Sequence, residues 1–298
     1  MYRTILAPLD GSEFSERAVP MAMSLAQALQ AQVVLVRAAS ATVFPGVDPT
    51  EAQVQAVAEA RDYLSALATE WEEQGLRVET AVPYGDAAES ILLEISLHNA
   101  NLVVMCTQGR SGLGRWIYGS VAEQVLARSP VPVLLVRGAG PIPVLGPEPA
   151  QAALLVPLDG STFAEAALPH AIGLARVFNG TIVLLRVVAP VMALYGYPGV
   201  RVAQEALGEE FVQAEVYLGE VAERLRADGL AVETSVREGW PADVISQLTV
   251  APAPRLVVMA THGRTGVERL LLGSVALEVV RRGALPVLLV RPAGYPAA

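Results

Sequence analysis

This chain is written twice, and that limits its fold more than any other feature. Thr4-Ile-Leu-Ala-Pro-Leu-Asp-Gly-Ser12 returns as Ala153-Leu-Leu-Val-Pro-Leu-Asp-Gly-Ser161, an offset of 149 (153 minus 4). Gly109-Arg-Ser-Gly112 returns as Gly263-Arg-Thr-Gly266, and Gly119-Ser120 as Gly273-Ser274, an offset of 154 (263 minus 109). The two offsets differ by five, which places an insertion in the second copy, between its second strand and the next helix. At roughly 150 residues each copy has the length of an ordinary domain. The expected organisation is a first domain over residues 1–139, a linker over 140–151 and a second domain over 152–298. Gly138-Ala-Gly-Pro-Ile-Pro-Val-Leu-Gly-Pro-Glu-Pro149 has the Pro and Gly content of a semi-rigid connector.

Within each copy short β-rich runs alternate with helical stretches, the pattern of a parallel sheet covered by helices. In the first copy strands are expected near Thr4–Leu9, Gln32–Ala38, Arg77–Val82, Leu102–Thr107 and Val131–Arg137. Their apolar runs suit burial on both faces. Helices fit Glu13–Leu29, Thr50–Gln74, Asp86–His98 and Ser120–Arg128, with Gly75 as a stop and Val54–Leu67 as a core-facing stripe. Strands of the second copy fall near Ala153–Leu158, Thr181–Val187, Ala231–Val236, Leu256–Thr261 and Leu285–Arg291. The fold class is therefore α/β: two doubly wound, Rossmann-like domains of five parallel strands, whose ligands sit at the carboxyl ends of the strands.

Composition narrows the chemistry. All 21 basic side chains are Arg; there is no Lys. That removes Schiff-base chemistry, the P-loop lysine and the protein-kinase lysine. Thirty Asp and Glu leave a formal net charge of −9, and no Arg run exceeds Arg281–Arg282, so neither nucleic acid nor an anionic membrane is an expected partner. The single cysteine, Cys106, cannot form an intrachain disulfide. The amino-terminal segment lacks the pattern of a signal peptide, and no run approaches the roughly 18 apolar residues of a membrane span. A cytoplasmic location is the expectation.

Candidate chemistry clusters at the expected strand ends. The first strand runs into Pro8-Leu-Asp10-Gly-Ser12 and the fourth into Cys106-Thr-Gln-Gly-Arg-Ser-Gly112, followed by Gly119-Ser120 at a helix start. Such a start offers backbone N–H groups, the positive end of the helix dipole and a hydroxyl, which together hold a phosphate without lysine. Gly and Ser are also ordinary turn and cap residues, and Asp-Gly is a common turn, so a purely structural role stays open for each. Repetition at the same topological place favours anion binding.

Both copies resemble universal stress protein domains, and the resemblance covers nearly the whole chain outside the linker. Nucleotide-binding members of that family carry Gly, two residues, Gly, nine residues, then Gly-Ser or Gly-Thr, with an Asp shortly after the first strand. The spacing is met by Gly109 with Gly119-Ser120 and by Gly263 with Gly273-Ser274. The motif's first Gly is Cys106 in one copy and Ala260 in the other. A side chain there crowds the ligand, cysteine more than alanine, so the second copy is expected to bind nucleotide better. The resemblance implies that Asp10 and Asp159 contact the nucleoside, beside Pro8 and Pro157. It also implies that the backbones of Ala38 and Val187 read the adenine edge, with Met105 and Met259 alongside. Gly109, Arg110, Gly112, Gly119, Ser120 and Val121 would surround the phosphates, and so would Gly263, Arg264, Gly266, Gly273, Ser274 and Val275. It implies ATP, ADP or AMP as ligand, with Mg²⁺ carried in on the phosphates. Family members commonly dimerise through the last strand, which would make Val131–Arg137 and Leu285–Arg291 an intrachain pseudo-dimer and allows a homodimer of the whole chain. Pro132 and Pro286 suit edge strands.

Other constellations fail. Gly112-Leu-Gly114 follows the fourth strand and lacks the dinucleotide spacing, and Leu113 stands where a nucleophile elbow needs Gly. His98, His170 and His262 have no metal-ligand spacing and read as structural or exposed, and Gln108 replaces His262 in the other copy. Cys106 reads as a small buried side chain. With no general base, nucleophile or metal cluster, the expected function is holding an adenine nucleotide in a stress-linked signalling role, with at most slow ATP hydrolysis. A nucleotide-independent interaction module is the alternative, and an ATP-hydrolysing enzyme the weaker one.

Overall fold

The computed structural model describes residues 1–41, 48–107, 119–137, 145, 152–190, 200–248, 253–263 and 272–292. The chain divides into two compact units, Met1–Val144 and Leu145–Tyr295. Of the linker expected at 140–151, all but Leu145 lies outside the described residues.

Unit 1 contains β1 (Thr4–Pro8), α1 (Glu13–Glu16), α2 (Val19–Leu29), β2 (Gln32–Val36), α3 (Pro49–Glu73), β3 (Arg77–Ala81), α4 (Ala87–Leu97), β4 (Leu102–Cys106), α5 (Ser120–Arg128) and β5 (Val133–Val136). Its strands lie in the order β3-β2-β1-β4-β5, all parallel. Chain order reverses between β1 and β4, which is the switch point of a doubly wound sheet. Unit 2 repeats this with β6 (Leu154–Pro157), α6 (Thr162–Glu165), α7 (Leu168–Phe178), β7 (Thr181–Val188), α8 (Val200–Ala227), β8 (Ala231–Glu238), α9 (Pro241–Gln247), β9 (Leu256–Ala260), α10 (Ser274–Arg282) and β10 (Val287–Val290). Its order is β8-β7-β6-β9-β10, again parallel throughout.

The inner strands are apolar because helices cover both faces. Leu6, Val34, Leu102 and Leu134 in unit 1, and Leu154, Leu155 and Leu184 in unit 2, are at most 1% exposed. Each such side chain contributes about 1.5–3 kcal/mol on leaving water. Met21 and Leu25 of α2, with Leu64 and Trp71 of α3, close the unit 1 core from the helices. Helix starts carry their own signals: Asp48 accepts from the Thr50 and Glu51 amides and Pro49 opens α3, while Asp86 accepts from the Glu89 amide and opens α4.

Four sequence expectations change. The helix expected over Glu13–Leu29 is two, because the chain turns at Arg17 and Ala18 and Pro20 sits in the first turn of α2. β3 and β8 are edge strands with mostly exposed or half-exposed side chains, so Arg77-Val-Glu-Thr-Ala81 is not covered on both faces. Within the stripe expected over Val54–Leu67, Val54 is exposed; the buried positions of α3 are Ala60, Leu64, Ala68 and Trp71. The insertion lies partly inside a helix, since α8 has 28 residues against 25 in α3.

Candidate functional site

Each unit has a pocket at the carboxyl ends of its strands, at the switch point. In unit 1 it has a volume of about 360 Å³ and is lined by Pro8 at the end of β1, Asp10 beyond it, Arg37 and Ala38 after β2, Met105 and Cys106 of β4, and Gly119, Ser120 and Val121 at the start of α5. In unit 2 it measures about 660 Å³ and is lined by the counterparts Pro157, Asp159, Arg186, Val187, Met259, Ala260, Gly263, Gly273, Ser274 and Val275. Every candidate residue among those described thus lines a pocket. Gly109, Arg110, Gly112, Arg264 and Gly266 lie outside the described residues.

Asp10 and Asp159 combine the turn role with a place in the pocket wall. Oδ1 of Asp10 accepts the Ser12 amide at 2.9 Å and the Ser12 hydroxyl at 2.5 Å, and Ser12 in turn caps α1. Asp159 and Ser161 repeat both bonds at 2.9 and 2.5 Å. Gly11 and Gly160 complete the turns at φ +78° and +83°, where a side chain would be strained. The other carboxylate oxygen of Asp159 faces the α-carbon of Gly263, so closely that any β-carbon on residue 263 would overlap it.

At Ala38 the backbone itself is the available group. The amides of Arg37 and Ala39 donate to Ala81 and Pro83 on the β3 side at 3.1 and 2.8 Å, while Val36 O accepts from Leu9 at 2.8 Å on the β1 side. Successive peptides of a parallel strand bond to alternate neighbours, so Ala38 turns its N–H and C=O toward the β1 side, where β1 has already ended. In unit 2, bonds from Leu158 N to Leu185 O and from Gly239 N to Val188 O repeat this pattern around Val187.

The starts of α5 and α10 differ from those of α1, α4 and α6. Ser12, Ser161 and Asp86 place a side-chain acceptor over their helices, whereas Gly119 and Gly273 occupy the N-cap positions of α5 and α10 with none. First-turn amides of these helices are therefore left open toward the pocket. One correction follows. The N–H of Gly119 donates to Thr107 O at 2.9 Å and that of Gly273 to Thr261 O at 2.8 Å, so neither glycine amide is available to a phosphate. The donors at this end are the amides of Ser120 to Ala122 and of Ser274 to Ala276, with the two Ser hydroxyls.

Several residues in or beside the pockets escape reading by motif. His262, dismissed on spacing, is 6% exposed, lines the unit 2 pocket and lies 3.1 Å through Nδ1 from Thr261 Oγ1. Arg37, Tyr63 and Glu16 form a cluster in unit 1, in which the Tyr63 hydroxyl donates to Glu16 Oε1 at 2.8 Å and the Arg37 guanidinium lies 4.8 Å from the ring centroid. Arg186, Tyr217 and Glu165 are the counterparts, with a Tyr217 to Glu165 bond of 2.9 Å. Burial, followed by the bond to Glu16 or Glu165, raises the pKa of each tyrosine, which stays a neutral donor. The signal was present in the sequence, because Glu16 and Arg37 recur at the offset of 149 and Tyr63 at 154.

Among the described residues no group of three or more His, Cys, Asp or Glu is placed to hold a metal, and no helix is long and apolar enough to cross a membrane.

Comparisons with known proteins bear on the family and the fold. A universal stress protein of Methanocaldococcus jannaschii is 34% identical over 140 residues, 46% of this chain and 81% of that protein. A universal stress protein of Mycobacterium tuberculosis is 30% identical over 213 residues; the match takes in 67% of this chain and 64% of that relative, less than two thirds of its length. The crystal structure of a universal stress protein from Archaeoglobus fulgidus shares the fold, with a TM-score of 0.70 at 22% identity over 97% of this chain and 98% of that one. The profile of the universal stress protein family matches residues 1–137 and again 153–291. The chain therefore belongs to the universal stress protein family and carries the family's domain twice.

Proposed function

We propose that the protein is a cytoplasmic, adenine-nucleotide-binding stress and signalling protein that holds ATP, ADP or AMP in each unit and turns it over slowly if at all. The observation that carries this reading is the pairing, within one pocket, of a helix start left without a side-chain cap and an aspartate turn across the switch point. The open amides and Ser120 or Ser274 suit the phosphates, Asp10 or Asp159 the sugar, and the backbone of Ala38 or Val187 the base edge. Arg110 and Arg264, which follow the loop glycines, are proposed as further phosphate contacts. Mg²⁺ would enter on the phosphates. Holding rather than consuming the nucleotide suits a chain without lysine, because arginine binds phosphate but does not shuttle protons. Two family domains in one chain fit an intrachain pseudo-dimer.

The test is to denature the purified protein, chromatograph the released small molecules, and titrate ATP, ADP and AMP calorimetrically with and without Mg²⁺. Binding below millimolar concentration is expected, weakened roughly tenfold at the second site by Ser274→Ala through loss of one hydrogen bond to a charged group. The Cys106→Gly variant is expected to bind more tightly at the first site. No released nucleotide and no heat would favour the second reading, a nucleotide-independent interaction module, which Cys106 and Ala260 in place of the motif's first glycine support. Phosphate release abolished by Ser274→Ala would favour an ATP-hydrolysing enzyme.

A further inference from the structure

We propose that Arg37 and Arg186 form a second anion subsite at the sugar end of each pocket. On this view the preferred ligands are adenosines carrying a phosphoryl group on the 2′- or 3′-oxygen as well as on the 5′-oxygen. The proposal rests on the nucleotide reading above and narrows it to a class of ligand.

Arg37 is held before any ligand arrives. Its backbone amide is bonded to Ala81 O at 3.1 Å, which fixes where its side chain begins. One face of its guanidinium lies over Tyr63, whose ring is itself tied to Glu16. The guanidinium also lies against Gly11, where a β-carbon would come within 3.1 Å of Cζ and Nη1. A guanidinium packed on a ring and against a glycine is held in place, and arginine's planar fork of N–H donors suits a phosphoryl group. Among the described residues Arg37 forms no salt bridge, since the nearby Glu16 is engaged by Tyr63 and Oδ1 of Asp10 by Ser12. In unit 2 Arg186 lines the pocket and donates to Leu158 O at 3.4 Å, and Tyr217, bonded to Glu165, lines the same pocket.

Sheet order separates this group from the donors already assigned. Arg37 follows β2 and the open amides follow β4, while the Asp10 turn follows β1, which lies between those strands. Donors for anions thus reach the aspartate turn from both flanking strands, Arg37 from the β2 side and the start of α5 from the β4 side. A sugar phosphorylated on both sides meets both sets, whereas ATP, ADP and AMP meet only the α5 set.

The experiment compares ligands of equal phosphate number on the full chain. Adenosine 2′,5′-bisphosphate, adenosine 3′,5′-bisphosphate and ADP are titrated calorimetrically in Mg²⁺-free buffer. At least one bisphosphate is expected to bind tenfold or more tighter than ADP. In the double variant Arg37→Met/Arg186→Met that ratio is expected to fall below two, and Arg37→Lys/Arg186→Lys, which lacks the planar fork, to recover only part of it. ADP binding with no preference for either bisphosphate in the native chain would overturn this proposal and leave the nucleotide reading standing. A preference that survives the Met substitutions would overturn it as well, and absence of binding by all three ligands would overturn both.

Discussion

Gly263 is accounted for by a neighbour in its own chain. With the Asp159 carboxylate against its α-carbon, any side chain there displaces either the carboxylate or the strand end that carries residue 263. Gly263→Ala is therefore expected to destabilise unit 2 by about 1–3 kcal/mol, the usual cost of forcing atoms into a filled site. That corresponds to a fall in Tm of at least roughly 2 °C in a domain of this size, read by scanning calorimetry. The same substitution should weaken nucleotide binding at the second site, because the displaced carboxylate is also the pocket wall. An unchanged Tm would mean that Asp159 is free to swing away. This contact was not legible in the sequence: the motif spacing marks Gly263, but only the fold brings residue 159 from β6 against residue 263 after β9. The Asp turns themselves were legible, because Asp-Gly-Ser after a strand is a local pattern and recurs in both copies.

Element boundaries followed local chemistry closely where that chemistry was strong. α5 spans Ser120–Arg128 as read, and the apolar inner strands sit within a few residues of their expected limits. Misreadings came where a weaker signal was passed over. Pro20 marks the break before α2, and the alternation of Arg77-Val-Glu-Thr-Ala81 marks an edge strand. One difference between otherwise matching elements has a measurable cost. Asp86 caps α4, but its counterpart at the start of α9 is Trp240, which is 59% exposed and provides no cap bond. Trp240→Asp is expected to stabilise unit 2 by about 1 kcal/mol through a restored N-cap, seen as a rise in Tm of about 2–4 °C. A fall in Tm would indicate that the indole contributes packing worth more than the missing cap.

At the scale of the whole molecule, duplication made the fold readable. Each motif found in one copy could be checked against the other, so sheet class and pocket position followed from one chain without relatives. Arg37, Tyr63 and Glu16 also recur in both copies, but only the fold brings these three distant positions into one cluster. The unequal pockets, about 360 and 660 Å³, likewise belong to the assembled units. The bonds from Gly119 to Thr107 and from Gly273 to Thr261 have a consequence for how such a chain can change. Each ties a strand end to the helix start that follows it, Thr107 to Gly119 at 2.9 Å in one unit and Thr261 to Gly273 at 2.8 Å in the other. Eleven residues separate the bonded partners in each copy by the sequence numbering. Loop length adds only slowly to the closure cost, so a change in the number of residues between the bonded ends costs the bond little, provided that Gly263 keeps its place against Asp159.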